Sequence, residues 1–158
     1  MPRFDEPCLT RPASEVVGRQ GLSVPSRPAL PPLLDPEGLP VIKPIEEPLV
    51  EVDPRRISIL DNYYQAGWEN ARIGCQLRAS VANLLYLAAE QLPNPWGLAI
   101  FDGWRPLALQ AELYLAAYAD SDLPPGLFAR PTTDPTFPPP HLTGGAVDLT
   151  LTFNGIPL

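Results

Sequence analysis

Proline restricts the folding of this chain more than any other residue, because 23 of its 158 residues are proline. Twelve of these prolines lie within residues 1–54. Each proline removes a backbone N–H donor and biases the residue before it away from the helical conformation. We therefore predict a proline-rich leader over residues 1–40, extended or disordered, and a folded domain over residues 41–158.

The charge and cysteine content exclude several classes of protein. The net charge is −7, and the 11 basic residues do not cluster, which argues against nucleic-acid binding. No apolar stretch has membrane-spanning length and no secretory signal pattern opens the chain, so we expect no membrane association and a cytoplasmic location. Cys8 and Cys75 are the only cysteines, and we expect neither a metal knuckle nor a disulfide.

Apolar residues recur at helix and strand spacing in the body of the chain. The predicted elements are helices over residues 77–92 and 106–118 and strands over residues 56–60, 97–101 and 146–153. Residues 61–74 are interpreted mostly as loop. Residues 120–140 contain seven prolines and no periodicity, so we expect a long loop that leads directly into His141.

His141, the only histidine, lies seven residues before Asp148 at the start of the last predicted strand. Three prolines before His141 form a stiff lead-in, and Gly144 and Gly145 permit a sharp turn into the strand. A neutral imidazole and a carboxylate brought together in this way are suitable zinc ligands. The alternative is a solvated loop histidine and a strand-end aspartate, but the turn and the strand context favour a metal site.

A second candidate lies where the strand over residues 97–101 ends. Arg105 follows this strand and precedes a helix, a position from which a guanidinium could hold a substrate carboxylate or stabilise an oxyanion. The alternative is a structural arginine paired with Asp102. Asp102 itself is interpreted as the group that orients Arg105, and Trp104 as a packing residue.

These motifs resemble those of the zinc-dependent D-alanyl-D-alanine dipeptidases, which include the vancomycin-resistance dipeptidases of bacteria. Asp102-Gly103-Trp104-Arg105-Pro106 is similar to the family's Asp-Gly/Ala-aromatic-Arg-Pro element. His141 to Asp148 resembles its His-x-x-Gly-x-Ala-x-Asp element and is followed by Leu149-Thr150-Leu151, as in the family. Glu47-Pro48-Leu49-Val50 resembles an upstream segment. The resemblance spans roughly residues 40 to 158 and does not include the leader.

The resemblance implies an α+β fold in which helices flank a mainly antiparallel sheet. It implies hydrolysis of a small D,D-dipeptide, D-alanyl-D-alanine, in cell-wall metabolism. It also implies that His141 and Asp148 bind Zn²⁺ and that Arg105 stabilises the transition state.

The chain departs from the family pattern after Asp148. The family's third ligand and its general base belong to a later Glu-x-x-His element, whereas the ten residues after Asp148 contain neither His nor Glu. We therefore expect a domain truncated at its C-terminus, completed by a missing segment or by a second chain, and an unpaired edge on the strand over residues 146–153. The alternatives are a non-catalytic module that binds cell-wall peptides and a related cell-wall carboxypeptidase.

Overall fold

The computed structural model describes residues 3–24, 46–119 and 126–158 and has an α+β fold. Its helices are α1 (Pro7–Thr10), α2 (Ala13–Arg19), α3 (Asn62–Gln65), α4 (Ala79–Glu90) and α5 (Leu107–Ala119). Its strands are β1 (Leu49–Glu51), β2 (Ser58–Ile59), β3 (Gln76–Arg78), β4 (Trp96–Asp102), β5 (Asp148–Phe153) and β6 (Ile156–Pro157). None of the helices in these ranges is long and apolar enough to cross a membrane.

The main sheet has four strands in the order β2-β4-β5-β6. Strands β2 and β4 are parallel, whereas β4 pairs with β5 and β5 with β6 in antiparallel fashion. A separate antiparallel pair joins β1 to β3. The expected α+β fold with a mainly antiparallel sheet is therefore confirmed.

Strand β4 separates two hydrophobic cores, because successive side chains of a strand point to opposite faces. Ile100 packs with Leu85 of α4 in one core, and Phe101 packs with Leu113 of α5 in the other. Burial of a large apolar side chain contributes roughly 1.5–3 kcal/mol, so α4 and α5 are held mainly by these contacts. The helical spacing predicts a buried stripe of Leu77, Val81, Leu84, Leu85 and Ala88, but two of these residues, Leu84 and Ala88, are exposed.

The leader differs from its predicted form where the structure describes it. The prediction of an extended or disordered segment is wrong at residues 7–10 and 13–19, which form α1 and α2. Pro7 begins α1 and Pro12 immediately precedes α2, and at a helix start the missing N–H of proline costs nothing. Residues 1–2 and 25–40 of the predicted leader lie outside the described residues.

The outer edge of β5 is paired along part of its length. Asn154 and Gly155 have positive φ angles of 52° and 75° and turn the chain back into β6. Phe153 and Thr152 pair with Ile156 and Pro157, respectively. The expectation of an unpaired edge is therefore wrong at these positions, because an Asn-Gly turn suits a two-residue hairpin.

Candidate functional site

The antiparallel pairing of β4 with β5 brings the two sequence motifs together. Asp102, the last residue of β4, lies opposite Asp148, the first residue of β5, and the register shifts between Ile100 and Asp102. Such a bulge re-aims side chains and is frequent beside active sites. The two carboxylates thus reach one end of the sheet although 46 residues separate them in the sequence.

His141 lies on a single 3₁₀ turn, Pro140–Thr143, beside these carboxylates. Its Nδ1 is 2.9 Å from the carbonyl oxygen of Gly103, and its Nε2 is 3.3 Å from Oδ2 of Asp148. A neutral imidazole that donates its Nδ1–H to the carbonyl leaves Nε2 free to accept a proton or bind a metal. Histidines that bind metals usually have such a partner for the other nitrogen.

The separation of these donor atoms is consistent with two ligands of one metal ion. Nitrogen and oxygen ligands of tetrahedral zinc, each about 2.0–2.2 Å from the metal, lie about 3.3–3.5 Å apart. The observed 3.3 Å between His141 Nε2 and Asp148 Oδ2 fits this value. A carboxylate oxygen of Asp102 also lies within 4.8 Å of a ligand atom of His141 and of a ligand atom of Asp148. Its Oδ2 already accepts a hydrogen bond from Arg105, so Asp102 is the weaker third donor.

Glycine is required at position 103 by the packing of the strand end. A Cβ atom there would lie 2.4 Å from Sγ of Cys75 and 2.9 Å from the carbonyl oxygen of Gln76. The Gly103 carbonyl that holds His141 is therefore fixed by a close approach that only glycine permits. Gly144 ends the histidine turn with a φ of 73°, in the left-handed region that favours glycine.

Arg78 fastens the histidine turn to the rest of the fold. Its Nε donates a hydrogen bond of 2.7 Å to the carbonyl of Thr143, and its Nη1 donates to the carbonyl of Glu47. Its backbone N–H donates to the carbonyl of Gly144 at 2.9 Å. These bonds link the Glu47 segment to the turn that carries His141. Nothing local in the sequence distinguishes this arginine, since its partners lie 31 and 65 residues away.

Arg105 is buried, with 3% of its side chain exposed, and its guanidinium is held from two sides. Nε donates to Oδ2 of Asp102 and Nη1 donates to Oε1 of Gln110, both at 2.7 Å. The guanidinium also lies 5.6 Å from the ring centre of Tyr63 and 5.3 Å from that of Phe128. The expected pairing with Asp102 is present, and Gln110 is a partner that the helical pattern did not reveal.

The charges of the site are coupled. Burial lowers the pKa of His141, but its hydrogen bonds to Asp148 and Gly103 outweigh this effect and raise the pKa overall. The same hydrogen bond from His141 lowers the pKa of Asp148. Burial raises the pKa of Asp102 against the opposing effect of Arg105. His141 and Asp148 thus interact strongly, and any metal ion must compete with a proton for their ligand atoms.

Arg105, His141 and Asp148 line a cleft of ≈ 690 Å³, which is a typical size for a small-molecule site. Arg105, His141 and Asp148 supply charged or polar groups, while Tyr63, Phe101, Phe128 and Phe4 supply aromatic rings. Trp68 does not line this cleft and is buried in the core with 3% of its surface exposed. The three predicted site residues therefore share one cleft.

Cys75 lies behind the cleft rather than in it. Burial raises the pKa of its thiol to about 12, so at neutral pH it is a protonated, unreactive packing residue. Both Cys8 and Cys75 are free thiols.

Comparison of the chain with protein-family models, with curated proteins and with solved structures found no match. The chemistry of the site must therefore be inferred from its own residues.

Proposed function

We propose that this chain forms the metal- and carboxylate-binding part of a zinc-dependent D,D-dipeptidase that acts on D-alanyl-D-alanine. The observation that carries the proposal is the arrangement around His141. Its Nε2 lies 3.3 Å from Asp148 while its Nδ1 is held by the Gly103 carbonyl, and Arg105 lies beside them in the same cleft. In this proposal His141 and Asp148 bind zinc, and Arg105 binds the substrate.

The charge of the site supports a carboxylate-bearing substrate. When His141 is neutral, as metal binding requires, the single positive charge of Arg105 faces the negative charges of Asp102 and Asp148, which leaves one net negative charge. A divalent cation would reverse this to one net positive charge, which favours a ligand with one carboxylate. When bound, zinc polarises a carbonyl and lowers the pKa of its bound water toward neutrality.

Arg105 is suited to hold either a ground-state carboxylate or a developing oxyanion. Asp102 and Gln110 fix the guanidinium before any ligand arrives, and a preorganised donor stabilises charge without the cost of reorganisation. Gln110 is itself anchored, because its Nε2 donates to the carbonyl of Ala129. The planar guanidinium can still offer N–H groups to a ligand, since it carries five in total.

A second candidate function is a non-catalytic module that binds cell-wall peptides. Among the described residues that line the cleft, Asp148 is the only acidic side chain, so the lining offers no carboxylate besides this proposed metal ligand to act as general base. Catalytic zinc sites usually have three protein ligands. The dipeptidase function therefore requires Asp102 as the third zinc ligand, or a zinc ligand and a general base from another segment or a second chain. A cytoplasmic location belongs to the proposal and agrees with the two free thiols.

Release of D-alanine from D-alanyl-D-alanine by the zinc-loaded chain separates these functions. The enzyme function predicts release that is lost in His141→Ala and retained in Phe137→Ala, a variant at an exposed position outside the lining of the cleft. Dipeptide binding by calorimetry without release would favour the module. Neither binding nor release would overturn both functions. Cleavage of D-alanine tripeptides as fast as of the dipeptide would indicate a carboxypeptidase instead.

A further inference from the structure

The N-terminal segment, although it lies outside the part of the chain that carries the dipeptidase-like motifs, lines the cleft. Phe4, Leu9 and Thr10 contribute to the same cleft surface as Arg105 and His141. We infer that Phe4 forms an apolar wall of the ligand site and selects ligands that carry an apolar group beside their carboxylate.

A continuous row of rings connects Phe4 to the guanidinium. The ring of Phe4 stacks on that of Phe128, with centroids 5.3 Å apart and planes 27° apart. Phe128 in turn lies 5.3 Å from the guanidinium carbon of Arg105. A ligand whose carboxylate reaches Arg105 would therefore have its adjoining side group against Phe128 and Phe4.

The segment is held in place by apolar and hydrogen-bonding contacts with the body of the domain. Phe4 also packs on Trp68, with centroids 5.2 Å apart. The thiol of Cys8 donates a weak hydrogen bond to the carbonyl of Asn62, with the sulfur 3.6 Å from the oxygen. The ion pairs Arg3–Asp5 and Arg19–Glu15 are exposed and stay within the segment. The aromatic contacts therefore determine where Phe4 lies.

The wall should make the site prefer a ligand with an apolar side group over one with a hydroxyl, a distinction that charge alone would not make. An apolar wall cannot hydrogen-bond a hydroxyl that is buried against it, and such burial typically costs 1–3 kcal/mol, about 5- to 150-fold in affinity. The site should therefore prefer D-alanyl-D-valine to its near-isostere D-alanyl-D-threonine. This step depends on the proposed function for the identity of the ligand, whereas the position of Phe4 in the cleft wall does not.

The selectivity is tested by calorimetric titration of the zinc-loaded chain with these two dipeptides. The variants are Phe4→Ala and Leu9→Ala, which alter the wall, and Phe137→Ala, which makes the same change at a position 74% exposed. We expect wild type and Phe137→Ala to prefer the valine peptide by about tenfold or more, and both wall variants to lose most of this preference. An undiminished preference in a folded Phe4→Ala variant would overturn the inference.

A second readout needs neither zinc nor a peptide. His141 is the only histidine of the chain and lines the cleft, so its modification by diethyl pyrocarbonate can be followed unambiguously by mass spectrometry. We expect the metal-free Phe4→Ala variant to be modified several-fold faster than wild type or Phe137→Ala. If wild type binds neither dipeptide, the proposed function fails, and this rate decides whether Phe4 forms a wall of the cleft. Equal rates in all three proteins would overturn it.

Discussion

Replacement of Gly103 by alanine tests how closely the histidine is tied to the fold. The added Cβ would lie 2.4 Å from Sγ of Cys75, a residue only 5% exposed, and 2.9 Å from the backbone oxygen of Gln76. Neither neighbour can move away easily, because one is a short buried side chain and the other belongs to the main chain. The end of β4 must therefore shift, and the Gly103 carbonyl that holds His141 shifts with it.

The expected cost follows from overpacking. Extra atoms in a well-packed interior typically destabilise by about 1–3 kcal/mol, so Gly103→Ala should lower the free energy of unfolding by that amount. Loss of a partner that orients a ligating histidine typically weakens metal binding about 10- to 100-fold, and we expect zinc affinity to fall within this range. The double variant with Cys75→Ala should recover little stability, because the contact with the Gln76 oxygen remains.

Urea denaturation and zinc titration of the same protein samples provide the assay. Gly145→Ala is the matched control, because Gly145 lies next to the turn that carries His141. A Cβ atom at Gly145 would meet only the hydroxyl of Thr143, at 3.2 Å. We expect the control to change stability by less than about 1 kcal/mol, as for most exposed substitutions. If Gly103→Ala were as stable as this control and bound zinc equally well, the reasoning about the carbonyl would be refuted.

Two further predictions concern the hydrogen bonds made by Arg78 and by the carboxylate of Glu47. Arg78→Met leaves the carbonyls of Thr143 and Glu47 without their charged donor and should destabilise the fold by about 1–3 kcal/mol. The control Arg72→Met, at an exposed position, should not. Equal unfolding free energies of the two variants would contradict the role of Arg78. Hydrogen bonds from Ser80 lower the pKa of Glu47 below its ordinary 4.5, so its carboxylate stabilises the fold above that pH and this stabilisation is lost as the pH falls through the lower folded value. Glu47→Gln should therefore reduce the pH dependence of unfolding between pH 5 and pH 2, and an unchanged profile would count against it.

Local patterns in the sequence predict the elements that carry the site. Helical apolar spacing located α4 and α5 to within a few residues, and strand patterns located β4 and β5. The glycines after His141 indicated the turn that the structure contains at Gly144. These features depend on neighbours a few residues apart, which is the range over which periodicity and turn chemistry act.

Features that depend on distant contacts were beyond reach of the sequence alone. Nothing local indicates that Asp102 pairs in register with Asp148, or that Arg78 and Gln110 hold the site. Proline density alone predicts an extended leader, but it does not take into account that proline is tolerated at a helix start, where Pro7 and Pro12 lie. The Asn-Gly turn that leads into β6 is a local signal from which this hairpin could have been predicted.

Zinc titration calorimetry on the metal-free chain tests the central claim most directly. The variants are His141→Ala and Asp148→Asn, with Asp134→Asn as control because Asp134 is an exposed aspartate outside the lining of the cleft. The account predicts one zinc bound per chain in wild type and control, and at least tenfold weaker binding in both site variants. Absence of binding in wild type, or equal binding in all four proteins, would contradict it.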